Sequence, residues 1–148
     1  MDLRFEKNKK ELLKRLSTMR SKNEPAPPKA DAAIDAAIYG AASPLIDTII
    51  VDLGKQRAIA SFHDIEAAAA YCFDHAIRSI ILDMDPPTDW KMSTDLFTTV
   101  KSVKPNVQFI LLTMRPRSIP VETLAAQKAI VLEKPFTIAT LLHLINHA

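Results

Sequence analysis

The sequence predicts an α/β protein with a doubly wound, mostly parallel sheet of five strands. From residue 63 onward, amphipathic helical segments alternate with short apolar runs, an order typical of a parallel sheet covered on both faces. The 148 residues are 48% hydrophobic and 24% charged, the composition of a globular domain with a sizeable core. No apolar run approaches the roughly 20 residues that a membrane-spanning helix needs. We therefore expect one folded domain, over residues 30–148.

The segment that precedes this domain differs from it in composition. Residues 1–22 contain eight Lys/Arg and three Asp/Glu, with leucines at helical spacing, and predict a basic amphipathic leader helix. Residues 23–29 contain three prolines and predict a stiff linker. The leader is either a solvated helix or a docking helix for an acidic partner, a membrane surface or nucleic acid. Because Phe5 is its only aromatic residue, nucleic acid is an unfavoured partner.

The start of the domain has an unusual predicted order. The Ala-rich residues 30–42 predict a short helix, and the β-branched residues 46–51 predict a strand that ends at Asp52. Residues 58–62 predict the next strand. A parallel crossover needs about a dozen residues or more, and fewer separate these two strands. We therefore expect an antiparallel hairpin at one edge of the sheet.

The rest of the chain follows the regular alternation. The pattern predicts helices over residues 63–76, 93–101 and 121–127 and a final helix capped by Thr137, with strands over 80–82, 107–112 and 129–132.

Chemically active side chains follow four of the predicted strands. Asp52, Asp83, Thr113 and Lys134 stand at these strand ends, which converge on one edge of an open α/β sheet. Two acids, a hydroxyl and an amine suit reversible phosphorylation of Asp83 as the nucleophile. Asp52, Asp83 and Asp85 would hold Mg²⁺, Thr113 would bond a phosphoryl oxygen, and Lys134 would supply a positive charge. The alternative for Asp83 is a structural cap of the next segment.

These motifs resemble the receiver domain of two-component response regulators, which has a flavodoxin-like fold. The resemblance covers about residues 57–148 and consists of D-x-x-x-P from Asp83 to Pro87, the strand-end Thr113, and Lys134-Pro135-Phe136 after the last strand, in that order and at the family's spacing. It implies that Asp83 is the phosphoacceptor, Thr113 the switch hydroxyl and Lys134 the phosphate-pairing lysine. It also implies a cis Lys134–Pro135 bond, and a histidine kinase or phosphotransfer protein as the phosphodonor.

Three features depart from that family. Leu53 follows Asp52 where the family has a second acid, which weakens the predicted Mg²⁺ site. The short connection after Asp52 leaves no room for the family's first helix, which we therefore expect to be missing. Residues 130–132 are all aliphatic, so the family's switch aromatic has no counterpart on the last strand.

The resemblance favours a stand-alone, divergent receiver domain in two-component signal transduction rather than an enzyme. Phosphorylation of Asp83 would move the loop after Thr113, and residues 114–133 would bind a downstream protein partner. The edge strand 58–62 is a candidate homodimer contact. With Cys72 as the only cysteine and no signal-peptide pattern at the N-terminus, we expect a cytoplasmic location.

Two other functions are compatible with the same residues. The departures from the family favour a pseudo-receiver that acts as a binding or dimerisation module without phosphorylation. The Asp83-Met84-Asp85 motif also resembles the haloacid-dehalogenase phosphatases, in which the second acid is the general acid–base. That family needs further acids after its lysine, whereas residues 135–148 contain no Asp or Glu, which makes the phosphatase the least favoured of the three.

Overall fold

A computed structural model describes residues 34–147, which form one five-stranded sheet with helices on both faces. The strands are β1 (Ile34–Tyr39), β2 (Ile59–Phe62), β3 (Ile77–Asp83), β4 (Gln108–Thr113) and β5 (Ile130–Glu133). The helices are α1 (Pro44–Gly54), α2 (Ile65–Asp74), α3 (Trp90–Val103), α4 (Ile119–Ala125) and α5 (Ile138–Asn146). The predicted leader helix 1–22 and linker 23–29 lie outside the described residues.

The strand order is β2-β1-β3-β4-β5, and every neighbouring pair is parallel. The predicted doubly wound five-stranded sheet is therefore confirmed. Because the chain builds the sheet outward in one direction from β1 and then in the other from β3, the switch point lies between these two strands. Open α/β sheets bind their ligands at the carboxyl ends of the strands beside such a point.

The helix predicted over residues 30–42 is wrong, because residues 34–39 form β1 near the centre of the sheet. Its side chains alternate between the two faces: Ala36 and Ile38 pack into one core, and Ala37 and Tyr39 pack into the other. Alanine has the highest helix propensity, but such propensities are small in energy, and hydrogen bonding to strands on both sides outweighs this one. The small alanines also leave space for helices above and below.

The strand predicted over residues 46–51 is also wrong, because this segment lies within α1. Ser43 begins the helix, since its hydroxyl accepts a hydrogen bond from the backbone N–H of Ile46 at 3.2 Å, and Pro44 occupies the first turn. Its buried side chains, Ile46, Ile49 and Leu53, recur three and four residues apart. The β-branched residues thus serve as the buried face of a helix.

These two corrections remove the expected hairpin. β2 pairs with β1 in parallel, from Ala36 opposite Ile59 to Tyr39 opposite Phe62, and α1 is the crossover between them. The first helix expected to be missing is therefore present. Both wrong predictions have the same origin. The first strand has the alanine-rich composition of a helix, and the first helix has the β-branched residues of a strand.

The elements after residue 63 agree with the sequence prediction to within a few residues. Thr137 caps α5 as expected, because its hydroxyl accepts the backbone N–H of Thr140. Helices α2, α3 and α4 contribute buried side chains to one face of the sheet, and α1 and α5 to the other. No helix within residues 34–147 is long and apolar enough to cross a membrane.

Candidate functional site

The carboxyl ends of β3, β4 and β5 bring together three of the predicted site residues. Asp83 is the last residue of β3, Thr113 the last of β4, and Lys134 directly follows β5. Thr113 lies opposite Glu133 in the sheet register, and its carbonyl accepts the backbone N–H of Lys134 at 2.8 Å. Parallel pairing therefore places the three residues on one edge, as their strand-end positions predicted.

The Asp83 carboxylate is held on both oxygens. Its Oδ1 accepts hydrogen bonds from the Lys134 ammonium at 3.0 Å and from the backbone N–H of Asp85 at 3.1 Å. Its Oδ2 accepts the Thr88 hydroxyl at 3.2 Å. The side chain is only 3% exposed. Asp83 is thus a buried, paired acid rather than a simple helix cap.

The Asp85 carboxylate accepts from three donors on two other segments. Its Oδ1 accepts the Thr113 hydroxyl at 3.0 Å, and its Oδ2 accepts the backbone N–H of Met114 at 2.7 Å. The Lys134 ammonium lies 3.1 Å from the same Oδ2. The side chain is 11% exposed. Charge-assisted bonds of this kind are stronger than neutral ones, so they hold Asp85 against the ends of β4 and β5.

Lys134 joins the two acids. Its ammonium contacts Asp83 and Asp85 at nearly equal distances, and its side chain is 14% exposed. One cation therefore offsets the charge of two partly dehydrated carboxylates, which would otherwise repel each other. The bond to Pro135 is cis, as the resemblance implied, and the Pro86–Pro87 bond is also cis.

Asp52 does not reach this site. It lies in the last turn of α1, where its half-exposed carboxylate is 3.8 Å from the Lys55 ammonium. Because α1 starts at the carboxyl edge of the sheet and runs back along it, its last turn lies more than ~10 Å along the helix axis from that edge. The prediction of Asp52 as a strand-end metal ligand is wrong for this reason.

β1 ends at Tyr39 and Gly40 follows it, and neither is an acid. A Cβ atom on Gly40 would lie 2.9 Å from the Asp83 Cβ, so the backbone of this loop approaches β3 closely. Tyr39 is buried, and burial, with the nearby charges of Asp89 and Asp64, raises the pKa of this tyrosine. The family's adjacent acids thus have no counterpart at this strand end.

The donor set fits Mg²⁺ poorly. Mg²⁺ prefers six oxygen ligands in octahedral geometry, whereas the two carboxylates predicted to hold it that do meet at this edge, Asp83 and Asp85, already share the Lys134 ammonium. Within residues 34–147, no group of three or more His, Cys, Asp and Glu side chains could hold a metal ion. The Lys134 ammonium places a positive charge between these two carboxylates.

The sequence prediction missed two residues that help to build this site, Thr88 and Gly40. Thr88 links the loops, since its hydroxyl accepts the backbone N–H of Ala41 at 2.7 Å and donates to Asp83. Gly40 permits that close approach. Thr88 lies in a proline-containing loop without periodicity, which no pattern could have singled out. Gly40 did carry a signal, because it is one of two glycines in the chain and follows an apolar run.

No family model matches the sequence, and no curated protein matches it at a significant level. Solved structures do match. A response regulator receiver domain protein (CheY-like) from Methanospirillum hungatei is 15% identical with a TM-score of 0.65, and the match covers 78% of this chain and 93% of that chain. The chemotaxis protein CheY4 from Vibrio cholerae is 18% identical with a TM-score of 0.62, covering 78% of this chain and 98% of that one.

A structure of adenylate cyclase from Rhodopirellula baltica also matches, at 16% identity and a TM-score of 0.63, covering 76% of this chain and 84% of that chain. At these identities the likeness concerns the fold. The domain has the flavodoxin-like, five-stranded architecture of receiver domains, and the resemblance predicted from the sequence is confirmed at that level.

Proposed function

We propose that this domain is a receiver-type signalling module that acts by binding a protein partner and does not depend on phosphorylation of Asp83. This is the pseudo-receiver alternative from the sequence. The observation that supports it most is the burial of Asp83, which is 3% exposed and bonded on both oxygens. A nucleophilic carboxylate must meet its phosphodonor with a free oxygen, and these bonds oppose that encounter.

The poor fit to Mg²⁺ supports the same proposal. Phosphoryl transfer depends on positioning and on neutralising the charge of the transferring group, for which the metal ion is the usual means. With Asp52 on a distant turn, only Asp83 and Asp85 remain of the predicted metal ligands, and both already pair with Lys134. We propose that the domain has no functional requirement for Mg²⁺.

Phosphorylation of Asp83 is the second candidate function. The distance of 3.0 Å between the Lys134 ammonium and Asp83 Oδ1 favours it, because a cation there could pair with an acyl phosphate. A histidine kinase or phosphotransfer protein would then be the donor. The haloacid-dehalogenase alternative is not proposed, since the Asp85 carboxylate is occupied by three donors and is poorly placed to exchange protons with water.

Intact mass spectrometry after incubation with acetyl phosphate and Mg²⁺ separates the two candidates. We expect no mass increase for the wild-type chain, as for the control variant Asp83→Asn. A phosphoryl adduct that forms on the wild type and is lost in Asp83→Asn would overturn the proposal and support the phosphoacceptor. Addition of a chelator would then tell whether the reaction needs the metal.

The partner surface predicted over residues 114–133 has a distinct chemistry in the structure. Met114 and Ile119 are 69% and 81% exposed, and Arg115 and Arg117 lie between them on the exposed loop. Exposed apolar side chains beside positive charge suit a partner with an acidic, partly apolar segment. We propose this loop and α4 as the binding surface.

Charge reversal tests this surface. In a pull-down from cells that express the tagged domain, we expect the double variant Arg115→Glu/Arg117→Glu to lose partners that the wild type retains. The control Arg78→Glu reverses an exposed charge on β3 and should retain them. Equal recovery by both variants would contradict the proposal. Homodimerisation through the edge strand β2 and a cytoplasmic location remain predictions.

A further inference from the structure

We infer that the Asp85 carboxylate is a built-in substitute for a phosphoryl group, which occupies an anion-binding site and holds the β4 edge in one state. The inference rests on the proposed function, because it supplies a reason why signalling would not need phosphorylation. Its physical basis is the convergence of three donors on one carboxylate.

The donors that hold Asp85 are those suited to phosphoryl oxygens. The Thr113 hydroxyl, the Met114 backbone N–H and the Lys134 ammonium come from two strand ends and point at one anion. A hydroxyl, an amide and an ammonium arranged around one point form a typical site for a tetrahedral oxyanion. On the chain as it stands, Asp85 fills that site.

The position of Asp85 relative to Asp83 fits the substitution. The backbone N–H of Asp85 donates to Asp83 Oδ1, and Lys134 contacts Asp83 Oδ1 and Asp85 Oδ2 at 3.0 and 3.1 Å. A group attached to an Asp83 oxygen and reaching toward Lys134 and Thr113 would therefore enter the space that the Asp85 carboxylate occupies. The two anions compete for the same donors.

This arrangement also orders the loop that begins the proposed partner surface. Thr113 donates to Asp85 and accepts the backbone N–H of Arg115 at 2.8 Å, while the N–H of Met114 binds Asp85 directly. Thr113 and Met114 are thus both bonded to the Asp85 carboxylate before the chain reaches α4. A permanent internal anion would fix the loop as a transient phosphoryl group could do on attachment.

Removal of the Asp85 carboxylate should uncover the anion site. In Asp85→Ala the Thr113 hydroxyl and the Met114 N–H lose their acceptor and Lys134 keeps Asp83 alone, so inorganic phosphate should bind there. We expect the thermal midpoint of Asp85→Ala to rise with millimolar phosphate in a saturable way, and that of the wild type to stay unchanged relative to sodium chloride at matched ionic strength. Asp52→Ala removes a half-exposed acid on the last turn of α1, away from the site, and should behave like the wild type.

Two outcomes would overturn the inference. One is an equal response of wild type and Asp85→Ala to phosphate, and the other is a folded Asp85→Ala that shows no response. The double variant Asp85→Ala/Lys134→Met should lose the response, because it lacks the cation of the site. If Asp85→Ala does not fold, Asp85→Asn keeps the volume, and the Met114 and Arg115 amide signals should shift more than those of β2 in its NMR spectrum. Unshifted signals would contradict the inference.

The failure of this inference can be distinguished from that of the proposed function. A phosphoryl adduct on the wild-type chain refutes the proposed function. The change in the thermal midpoint of Asp85→Ala with phosphate tests the anion-binding site separately. If the wild type accepts a phosphoryl group and Asp85→Ala also binds phosphate, Asp85 is a displaceable occupant. If neither occurs, the domain is still a pseudo-receiver, but Asp85 is an ordinary structural acid.

Discussion

At the scale of single residues, the backbone packs closely against Asp83 at Gly40. A Cβ atom there would lie 2.9 Å from the Asp83 Cβ and 3.4 Å from the Thr88 hydroxyl oxygen. The Asp83 Cβ is attached directly to the central strand β3 and cannot move aside as a flexible side-chain end could. The absence of a side chain at Gly40 therefore permits the contact between the β1–α1 loop and the acid site, which is the buried pair Asp83 and Asp85 with its donors.

Replacement of this glycine should destabilise the domain. We expect Gly40→Ala to lower the free energy of unfolding by about 1–3 kcal/mol, because the added methyl group overpacks against β3. Gly54→Ala is the matched control: a Cβ there meets nothing within 4 Å, and a stabilising change of up to about 1 kcal/mol is expected. Urea unfolding measures both. Equal stability of the two variants would show that the loop yields without cost.

Cys72 offers a test of burial through its chemistry. Burial raises the pKa of its thiol to about 12, although the nearby Lys104 charge acts in the opposite direction. The thiolate is the reactive form, so the folded protein should react very slowly with a thiol reagent at pH 8 and rapidly in denaturant. Fast reaction of the folded chain would contradict the burial.

The same shift gives stability a pH dependence. The thiol pKa is higher in the folded state than the ordinary value of 9.0, so this group favours unfolding as pH rises from about 9 toward 12. The stability that the Cys72 thiol contributes is fully present below pH 9 and is lost as the pH rises toward 12. In urea unfolding at pH 8 and pH 10, Cys72→Ala should lose less stability between the two pH values than the wild type does.

At the scale of elements, the segment from β3 to α3 builds most of the acid site. It provides Asp83 and Asp85 as acceptors and Thr88 as a donor, and the Ser93 hydroxyl donates to the Asp83 carbonyl at 2.8 Å. Asp89 caps α3 by accepting the backbone N–H of Lys91. One loop and the first turn of one helix thus position both acids, and β4 and β5 add the remaining donors.

The start of α1 is a second element whose stability can be tested. Ser43→Ala should lower the free energy of unfolding by about 1 kcal/mol, because it removes the hydroxyl that accepts the Ile46 N–H. Ser118 occupies the equivalent position before α4 but makes no side-chain cap hydrogen bond. Ser118→Ala should therefore have the small effect of an ordinary surface substitution, below the loss in Ser43→Ala. A reversed order in urea unfolding would contradict the assigned caps.

At the scale of the whole molecule, stability should be graded from the centre of the sheet to its edges. Residues 79–83 of β3 are at most 2% exposed and lie between β1 and β4, whereas all of β2 is partly exposed at one edge. The polar site lies at the carboxyl end of this buried centre. The proposed partner loop follows β4, one strand from the outer edge at β5.

Hydrogen exchange tests this gradient. We expect the β3 amides to exchange about tenfold or more slowly than those of β2, because central strands open only with global unfolding whereas edges open locally. In native-state exchange, the opening free energy of the β3 amides should fall with denaturant as steeply as that of global unfolding. The opening free energy of the β2 amides should fall less steeply. Equal protection of the two strands would indicate that the edge is covered, as in a dimer through β2.

The sequence determined the regular part of the fold and the meeting of three site residues. After residue 63, apolar runs of strand length alternate with amphipathic helices, and this order leaves few topologies other than a parallel sheet. Asp83, Thr113 and Lys134 stand at the ends of such runs, so their convergence follows from the sheet alone. Local pattern was sufficient there because each segment has the period of the element it forms.

Only the tertiary structure decided the first strand, the first helix and the role of Asp85. The alanines of β1 are buried on both faces and show no strand period, and the β-branched residues of α1 mimic a strand, so position in the sheet overrode local preference. Asp52 was misplaced with them. For Asp85, the sequence shows an acid two residues after Asp83 but not where its side chain points. Contacts with Thr113, Met114 and Lys134, all distant in sequence, turn it toward the donors because a buried charge is stable only where donors surround it.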